Sequence, residues 1–142
     1  MPVQWRTDYA VRLMYEAARL GTGAMATVQH LAEAGSVPYD FARQIANELV
    51  RSGLMVSRRG ARGGVGLARP AEHITIHDIF IAMGECTSLS LCTSNPSVCS
   101  KSGECPMHNG IWRELDEMIE QKLMSVTLAH CVACGSPTLR MA

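Results

Sequence analysis

Three cysteines and one histidine lie close together in a stretch of otherwise polar, turn-forming sequence, CTSNPSVCSKSGECPMH. Their spacing is Cys92-x6-Cys99-x5-Cys105-x2-His108. Free cysteine is usually found in a protein core, so three cysteines on one polar loop require an explanation. Thiolates are soft, charged ligands that chelate best when several converge. The spacing therefore indicates a loop that binds a zinc ion or an iron–sulfur cluster.

The gaps between the cysteines favour one of these two occupants. Structural zinc sites generally use cysteines about two to four residues apart, whereas six and five residues separate the cysteines here. Wider gaps allow a loop to wrap around a bulkier inorganic core, which favours a cluster. The alternative is a zinc site, or cysteines that oxidise reversibly without any cluster.

The remaining cysteines and histidines carry weaker signals. Cys86 is expected to pack at the end of the preceding helix. Cys131 and Cys134 form a CxxC motif, which is compatible with a redox pair, a second metal knuckle or an unstructured tail. The other histidines are expected to be structural or solvated: His30, His73, His77 and His130.

The elements that must position the cysteine loop are mainly helical, with one small β-hairpin. Apolar residues recur near a 3.6-residue period, which predicts helices over 7–20, 25–34 and 38–53 and from about Ile76. Thr7 and Thr75 are the expected N-caps of the first and last of these. In the third helix we expect Phe41, Ile45 and Leu49 to be buried.

A winged helix-turn-helix is the predicted architecture of the N-terminal part. The second and third helices are joined by a short turn containing glycine, which is typical of a helix-turn-helix. Residues 54–57 and 65–68 read as strands on either side of an Arg/Gly-rich tip, RRGARGG. A helix-turn-helix followed at once by a hairpin is a winged helix.

The C-terminal part begins with the loop 86–107 and continues as a long amphipathic helix over 108–130. One face of this helix is apolar and the opposite face carries Glu, Asp and Lys. Such a helix covers its own core or pairs with a second copy of the chain. The predicted organisation is a DNA-binding domain over 1–85, the cysteine loop over 86–107, a dimerisation helix over 108–130 and a flexible tail over 131–142.

Charge is divided unevenly along the chain although the net charge is zero. Residues 1–70 contain nine arginines and five acidic residues, and residues 71–142 contain four basic and eight acidic residues. A basic N-terminal half favours a polyanionic partner, here double-stranded DNA. Side chains of the third helix would approach base edges in the major groove, and arginines of the hairpin would enter the minor groove. The residues expected to contact DNA are Tyr39, Asp40, Arg43, Gln44, Asn47, Arg58, Arg59 and Arg62.

Other functional classes lack their signatures. No apolar run approaches the length of about 18–20 residues needed for a membrane span, and the N-terminus has no apolar signal core. We therefore expect a cytoplasmic protein with reduced thiols and no membrane partner. Neither a catalytic Ser/His/Asp set, nor paired carboxylates, nor a phosphate loop is evident, so we do not expect an enzyme.

The sequence resembles the prokaryotic iron–sulfur transcription regulators of the IscR, NsrR and RirA type. The resemblance covers about residues 3–128 and rests on RTDYAVRLM, GLMVSRRGARGGVGLA, ITIHDIFIAMGE and the three spaced cysteines before a long helix. It implies a homodimer whose long C-terminal helices cross at the interface. It also implies that Cys92, Cys99 and Cys105 ligate an iron–sulfur cluster, and that the protein is a regulator, a repressor, responding to redox, nitric oxide or iron/cluster status.

The same resemblance leaves two residues as the fourth ligand. His108 matches the position used by IscR-like members and implies [2Fe–2S]. Asp8 matches an aspartate that NsrR-like members donate from the partner subunit and implies [4Fe–4S]. One extra residue separates Cys92 from Cys99 relative to the x5–x5 pattern. We favour His108 because it needs no reach across subunits and because a tethered ligand loses less entropy.

Overall fold

Periodic apolar residues and a few caps determine where the helices of this chain lie. The computed structural model describes residues 3–135. Its helices and strands are α1 (Trp5–Arg19), α2 (Val28–Ala34), α3 (Tyr39–Arg51), β1 (Met55–Arg58), β2 (Gly64–Leu67), α4 (Ile76–Ala82), α5 (Leu91–Ser94), α6 (Arg113–Ser125) and α7 (Leu128–Ala133). Two 3₁₀ turns, Ala71–His73 and Pro96–Val98, and a π-helical turn, His108–Trp112, lie between them. The predicted fold class, mainly helical with one small hairpin, is confirmed.

A hydrophobic core forms where the helices of the N-terminal part meet. Helix α1 packs against α3 and α7, and α2 packs against α3. Burial of apolar area is the main favourable term in this packing. The largest side chains that it buries completely are Leu13, Met14, Leu31, Ile45, Leu49, Met55, Ile74, Ile79 and Leu128. Because Leu128 belongs to α7, the end of the described chain is part of the same core as its beginning.

The helix-turn-helix and the wing are present as predicted. The hydroxyl of Thr27 accepts a hydrogen bond from the backbone N–H of His30 and caps α2. After the turn, α3 begins directly behind Pro38. Strands β1 and β2 are antiparallel, with Met55 opposite Leu67 and Arg58 opposite Gly64. The predicted strands are confirmed within one residue at each end.

The wing is fixed to the chain segment that precedes α2. Ala26 and Val65 exchange two backbone hydrogen bonds, of 3.0 Å and 2.7 Å. The predicted helix over 25–34 is therefore wrong at its start, because Ala26 pairs with Val65 of β2 and the helix begins only at Val28. Close approach depends on Gly66, where a Cβ atom would lie 2.3 Å from the carbonyl oxygen of Ala24.

Two expectations for the first and third helices are wrong. Helix α1 begins at Trp5 after Gln4, and Thr7 is not its N-cap but a buried residue whose hydroxyl bonds to Glu85. Phe41 is not buried in the core. It is 40% exposed and stacks edge-on against Trp5, with ring centroids 4.6 Å apart. Small alanines occupy the buried positions of α3 beside Ile45 and Leu49.

The start of α4 is confirmed. Thr75 caps the helix that begins at Ile76, and its hydroxyl accepts the N–H of Asp78 while the Asp78 carboxylate accepts the N–H of Thr75. Burial alone would raise the pKa of Asp78. The hydrogen bonds from Thr75 and the nearby Arg69 guanidinium outweigh it and lower the pKa below its ordinary value.

The predicted single helix over 108–130 is wrong. Its first residues form a π-helical turn, α6 ends at Ser125, and Val126 is extended. The chain breaks there because it pairs with the residues before α4. Ile76 donates its N–H to the Val126 carbonyl at 2.9 Å, and Leu128 donates to the Ile74 carbonyl at 2.8 Å.

The predicted flexible tail over 131–142 also begins too early. Residues up to Ala133 belong to α7, which Leu128 anchors in the core. Residues 136–142 of that tail lie outside the described residues. The loop 86–107 contains structure of its own as well, because α5 and a 3₁₀ turn lie within it.

Replacing Gly66 by Ala is expected to lower the free energy of unfolding by about 1–3 kcal/mol, because the new Cβ would overlap the Ala24 carbonyl. Urea denaturation followed by circular dichroism measures this change. Gly103→Ala is the matched control, since a Cβ there meets nothing within 4 Å. We expect the control to stay within about 0.5 kcal/mol of wild type. Equal losses in both variants would contradict the docking of the wing on this segment.

Candidate functional site

The outer face of α3 presents the side chains predicted to contact DNA. Tyr39, Asp40, Arg43, Gln44 and Asn47 are all exposed. The opposite face of the same helix is buried in the core, which leaves α3 no freedom to rotate about its axis. A helix held in this way at the surface of a helix-turn-helix has the geometry of a recognition helix.

The wing presents three exposed arginines at its tip. Arg58 ends β1, Arg59 follows it, and Arg62 lies in the turn closed by the hydrogen bond from Gly63 N–H to the Gly60 carbonyl, 3.0 Å. Within residues 3–135, the arginines that form ion pairs are others: Arg6, Arg12, Arg19 and Arg69. The wing guanidinium groups therefore face solvent, as a surface for phosphates or the minor groove requires.

The cysteine loop holds its three predicted ligands as half-buried free thiols. Cys92 lies in α5, where its Sγ is 3.0 Å from Ser90 Oγ, and Cys99 directly follows the 3₁₀ turn Pro96–Val98. Cys105 precedes the π-helical turn and accepts the N–H of Asn109 on its carbonyl. All three are reduced and partly shielded from solvent.

The structure does not bring these side chains into one preformed metal site. Among the described residues, no three His, Cys, Asp or Glu side chains converge closely enough to hold a metal ion. The loop is instead held by local hydrogen bonds between Ser, Thr and Asn side chains and nearby backbone groups. Such bonds are individually weak, so ligands can rearrange around an occupant.

The two candidate fourth ligands differ in what their polar atoms already contact. His108 is half-buried, and its Nδ1 is buried with no hydrogen-bond partner. Asp8 is 41% exposed at its side chain and forms an ion pair of 2.9 Å with Arg12. Asp8 also lies in a pocket with Cys131 rather than with the loop cysteines of its own chain. An unpaired buried nitrogen is costly, and ligation would satisfy it.

The cysteines outside the loop differ in exposure. Cys86 is exposed and not packed beneath the helix end as expected. Cys131 is half-buried and Cys134 is exposed, and both lie at the end of α7. The Cys134 Sγ is 3.5 Å from His130 Nε2. His77, expected to be structural or solvated, lies 3.4 Å from Glu120 of α6.

A buried carboxylate links the cysteine loop to α1, and sequence reasoning missed it. One oxygen of Glu85, which is 9% exposed, accepts the Gln4 N–H at 3.1 Å and the Thr7 hydroxyl at 2.5 Å. Gly84, in the left-handed conformation, ends α4 and turns Glu85 toward α1. The carboxylate thus satisfies the N-terminus of α1, where negative charge is stabilising.

Helix α1 is in turn fixed to the recognition helix. Trp5 and Tyr9 stack with Phe41, and Arg6 forms an ion pair with Glu48. The first residue of the cysteine loop, Cys86, follows Glu85 directly. Glu85 therefore connects the start of this loop to α1, and α1 in turn contacts α3. The only sequence signal for this link is a single acid after an apolar helix.

Comparison with protein families now identifies the chain. The model of the Rrf2 family, described as an iron-dependent transcriptional regulator, matches residues 3–133. The chain belongs to the Rrf2 family. The resemblance inferred from the sequence is confirmed at this level, and this Rrf2 protein is a DNA-binding transcriptional regulator. None of its helices within residues 3–135 has the length and hydropathy that a bilayer crossing requires.

Individual relatives agree with the family. A protein of Aquifex aeolicus (strain VF5) assigned to the HTH-type transcriptional regulators is 29% identical over 115 residues, which are 80% of this chain and 79% of the relative. CymR, the global cysteine regulator of B. subtilis, has a TM-score of 0.78 at 21% identity, with 94% of this chain and 97% of CymR covered. T. potens IscR has a TM-score of 0.73 at 25% identity, with 100% and 93% covered. These similarities confirm the winged-helix fold of this Rrf2 protein.

Replacing Thr7 by Val keeps the shape of the side chain but removes a hydrogen bond to a buried carboxylate. We expect this variant to lose about 1–3 kcal/mol of unfolding free energy, measured by urea denaturation. Thr22→Val, at an exposed position after α1, is the control and should stay near wild type. If Thr7→Val is as stable as the control, Glu85 does not hold α1 in the way described.

Proposed function

We propose that this Rrf2 protein is a homodimeric repressor that senses redox, nitric oxide or iron/cluster status through an iron–sulfur cluster. Cys92, Cys99 and Cys105 would hold the cluster. One observation carries the proposal: three half-buried free thiols share a loop with His108, whose buried Nδ1 lacks a partner. The chemistry of this donor set fits a cluster with one non-thiolate ligand.

The proposed mode of DNA binding follows from the exposed face of α3 and the wing. Tyr39, Arg43, Gln44 and Asn47 would read base edges in the major groove. Arg58, Arg59 and Arg62 would lie in the flanking minor groove, where the potential is most negative. Two copies related by a two-fold axis would bind half-sites about one helical turn apart.

The proposed dimer rests on the apolar face of α6. This helix contains no buried residue, and Met118 is 58% and Met124 50% exposed. Ile111, just before it, is 41% exposed. Apolar side chains in a stripe of this kind are generally covered by another surface. The cysteine loop contacts this helix, because Leu89 donates its N–H to Asp116 of α6 at 2.8 Å. The cluster would therefore lie beside the dimer interface.

His108 is the fourth ligand that we propose. It belongs to the same loop as the cysteines, and its unpaired Nδ1 contrasts with Asp8, which Arg12 already neutralises. Asp8 would have to leave Arg12 and reach the loop of the partner subunit. A ligand set of three cysteines and one histidine favours [2Fe–2S], whereas three cysteines and Asp8 favour [4Fe–4S].

Signal transfer would run through Glu85. A bound cluster would supply one-electron redox chemistry and a centre that reacts with oxygen or nitric oxide. Gain or loss of the cluster would change the path of the cysteine loop and so displace Glu85. Glu85 is hydrogen-bonded to the first turn of α1, which would move with it. Because α1 is stacked on α3 through Trp5 and Phe41, the recognition helix would shift with it.

A zinc-binding or thiol-redox regulator without a cluster is the second candidate. The free thiol of Cys92 beside Ser90 Oγ is compatible with it, and the fold is shared with CymR, whose name is that of a cysteine regulator. The absorption experiment described below separates the two candidates, because a zinc or thiol protein is colourless.

Replacing Arg59 and Arg62 together by Ala is expected to weaken DNA binding by about 100- to 1,000-fold, since the proposed dimer loses four phosphate or minor-groove contacts that cost about 1 kcal/mol each. Fluorescence anisotropy with DNA from upstream of the protein's own gene measures it. The salt dependence of affinity should also become shallower. Arg113→Ala in α6 is the control and should bind as wild type does. Unchanged binding by the wing variant would rule out this surface.

The identity of the cluster ligands is tested on protein purified without oxygen. Visible absorption spectra are recorded, and iron and acid-labile sulfide are measured. We expect wild type and Asp8→Ala to be coloured, and His108→Ala to lose or shift its absorbance. Cys99→Ser should lose the cluster but remain a dimer by size exclusion, and Cys86→Ser should match wild type. Loss of colour in Asp8→Ala instead of His108→Ala would assign the ligand to Asp8. Colourless wild type containing zinc, or no metal after reconstitution, would overturn the cluster.

A further inference from the structure

A pocket of about 550 Å³ lies between α1, the turn joining α2 to α3, and α7. The charged side chains of α1 that line it are already paired, Asp8 with Arg12 at 2.9 Å and Glu16 with Arg19 at 3.1 Å. The turn contributes Gly35 and Ser36 to the lining, and α7 contributes a cysteine, Cys131. The Cys131 thiol is the reactive group of this pocket, and it is not among the proposed ligands of the cluster.

A second thiol lies one turn further along α7. Cys134 is the C-cap residue of this helix and is exposed, with its Sγ 3.5 Å from His130 Nε2. Residues three apart on a helix have Cβ atoms about 5–6 Å apart, whereas a disulfide needs about 3.5–4.5 Å. Only the last turn of α7 would have to tighten for the two sulfurs to join.

The two thiols differ in reactivity. Burial raises the pKa of the Cys131 thiol, and the nearby Cys134 raises it further. Cys134 is exposed and has an imidazole within reach to accept its proton, which is the arrangement of an attacking thiol. Cys131 is placed behind it, inside the pocket, as a resolving thiol.

We propose that Cys134 and Cys131 form a thiol–disulfide exchange site for low-molecular-weight disulfides, separate from the cysteine loop. Cys134 transfers its proton to His130 and attacks one sulfur of the disulfide. That S–S bond breaks, and the first small thiolate leaves and takes the proton back from His130. The Cys131 thiol then loses its proton to solvent and attacks the Cys134 sulfur. The second small thiolate leaves and takes up a proton from solvent, so the protein dithiol is oxidised by two electrons and the small disulfide is reduced to two thiols.

The site lies where its oxidation would reach the DNA-binding surface. Ser36, which lines the pocket, has a positive φ of 53° in the turn that sets the direction of α3. Leu128 anchors the other end of α7 in the core. Movement of Cys131 toward Cys134 would therefore change the pocket wall between α7 and this turn. Oxidation of Cys131 and Cys134 would therefore alter operator affinity even when the cysteine loop is unchanged.

Peptide mapping tests the exchange. Full-length protein is incubated without oxygen with oxidised glutathione, its remaining thiols are blocked with N-ethylmaleimide, and it is digested with trypsin. The peptide 123–140 contains Cys131 and Cys134 and no other cysteine. We expect wild type to show an internal disulfide in this peptide. Cys131→Ser or Cys131→Ala should show a glutathione adduct on Cys134, and Cys134→Ser should show Cys131 alkylated by N-ethylmaleimide without glutathione. Wild type with both cysteines alkylated overturns the site, and an adduct on Cys131 in Cys134→Ser overturns the order of attack.

Two further variants test the role of His130 in the exchange and the effect of oxidation on DNA affinity. His130→Ala should slow the exchange roughly three- to tenfold near neutral pH, because Cys134 loses its proton acceptor. Oxidised wild type should differ from reduced wild type in DNA affinity by at least about fivefold. The double variant Cys131→Ser/Cys134→Ser, with an intact cysteine loop, should not respond to glutathione. An equal response of this variant would assign the effect to the loop and overturn the link to α7.

Discussion

The buried carboxylate of Glu85 is the contact on which the connection between the two parts of this molecule depends. It replaces the missing side-chain cap of α1 and at the same time fixes the residue before Cys86. A carboxylate taken out of water is tolerated only when hydrogen bonds satisfy it. The Gln4 N–H and the Thr7 hydroxyl do so, and breaking either leaves the charge undercompensated. The residue before the cysteine loop and the first turn of α1 are therefore held together.

The rest of the fold serves to keep that unit coupled to the recognition helix. Aromatic stacking and one ion pair join α1 to α3, and the hydrogen bonds of Val126 and Leu128 return the chain to the same core after α6. The core holds α3 by small and branched side chains on one face only. Its opposite face and the wing remain free for DNA. The apolar face of α6 stays outside this core.

Local patterns predicted the N-terminal architecture well. The 3.6-residue periods, the cap at Thr75 and the Arg/Gly tip of the wing each act over a few residues, and each was confirmed within a few residues. Predictions from the sequence were wrong where a residue's position depends on a contact with a residue far away in the chain. Thr7 bonds to a residue 78 positions away, Phe41 stacks on Trp5, and the break at Val126 arises from pairing beside Thr75. For the cysteine loop, spacing indicates which atoms could be donors, but within the described residues these atoms do not converge on one site.

We propose that occupancy of the cysteine loop controls DNA binding. The affinity of one protein preparation, kept free of oxygen, for DNA upstream of its own gene should be measured before and after cluster removal. We expect the two affinities to differ by about fivefold or more, with the same dimer in both states. The iron and sulfide content is measured in both states, so that loss of the cluster is established. Equal affinities in the two states would then contradict control of DNA binding by the cysteine loop.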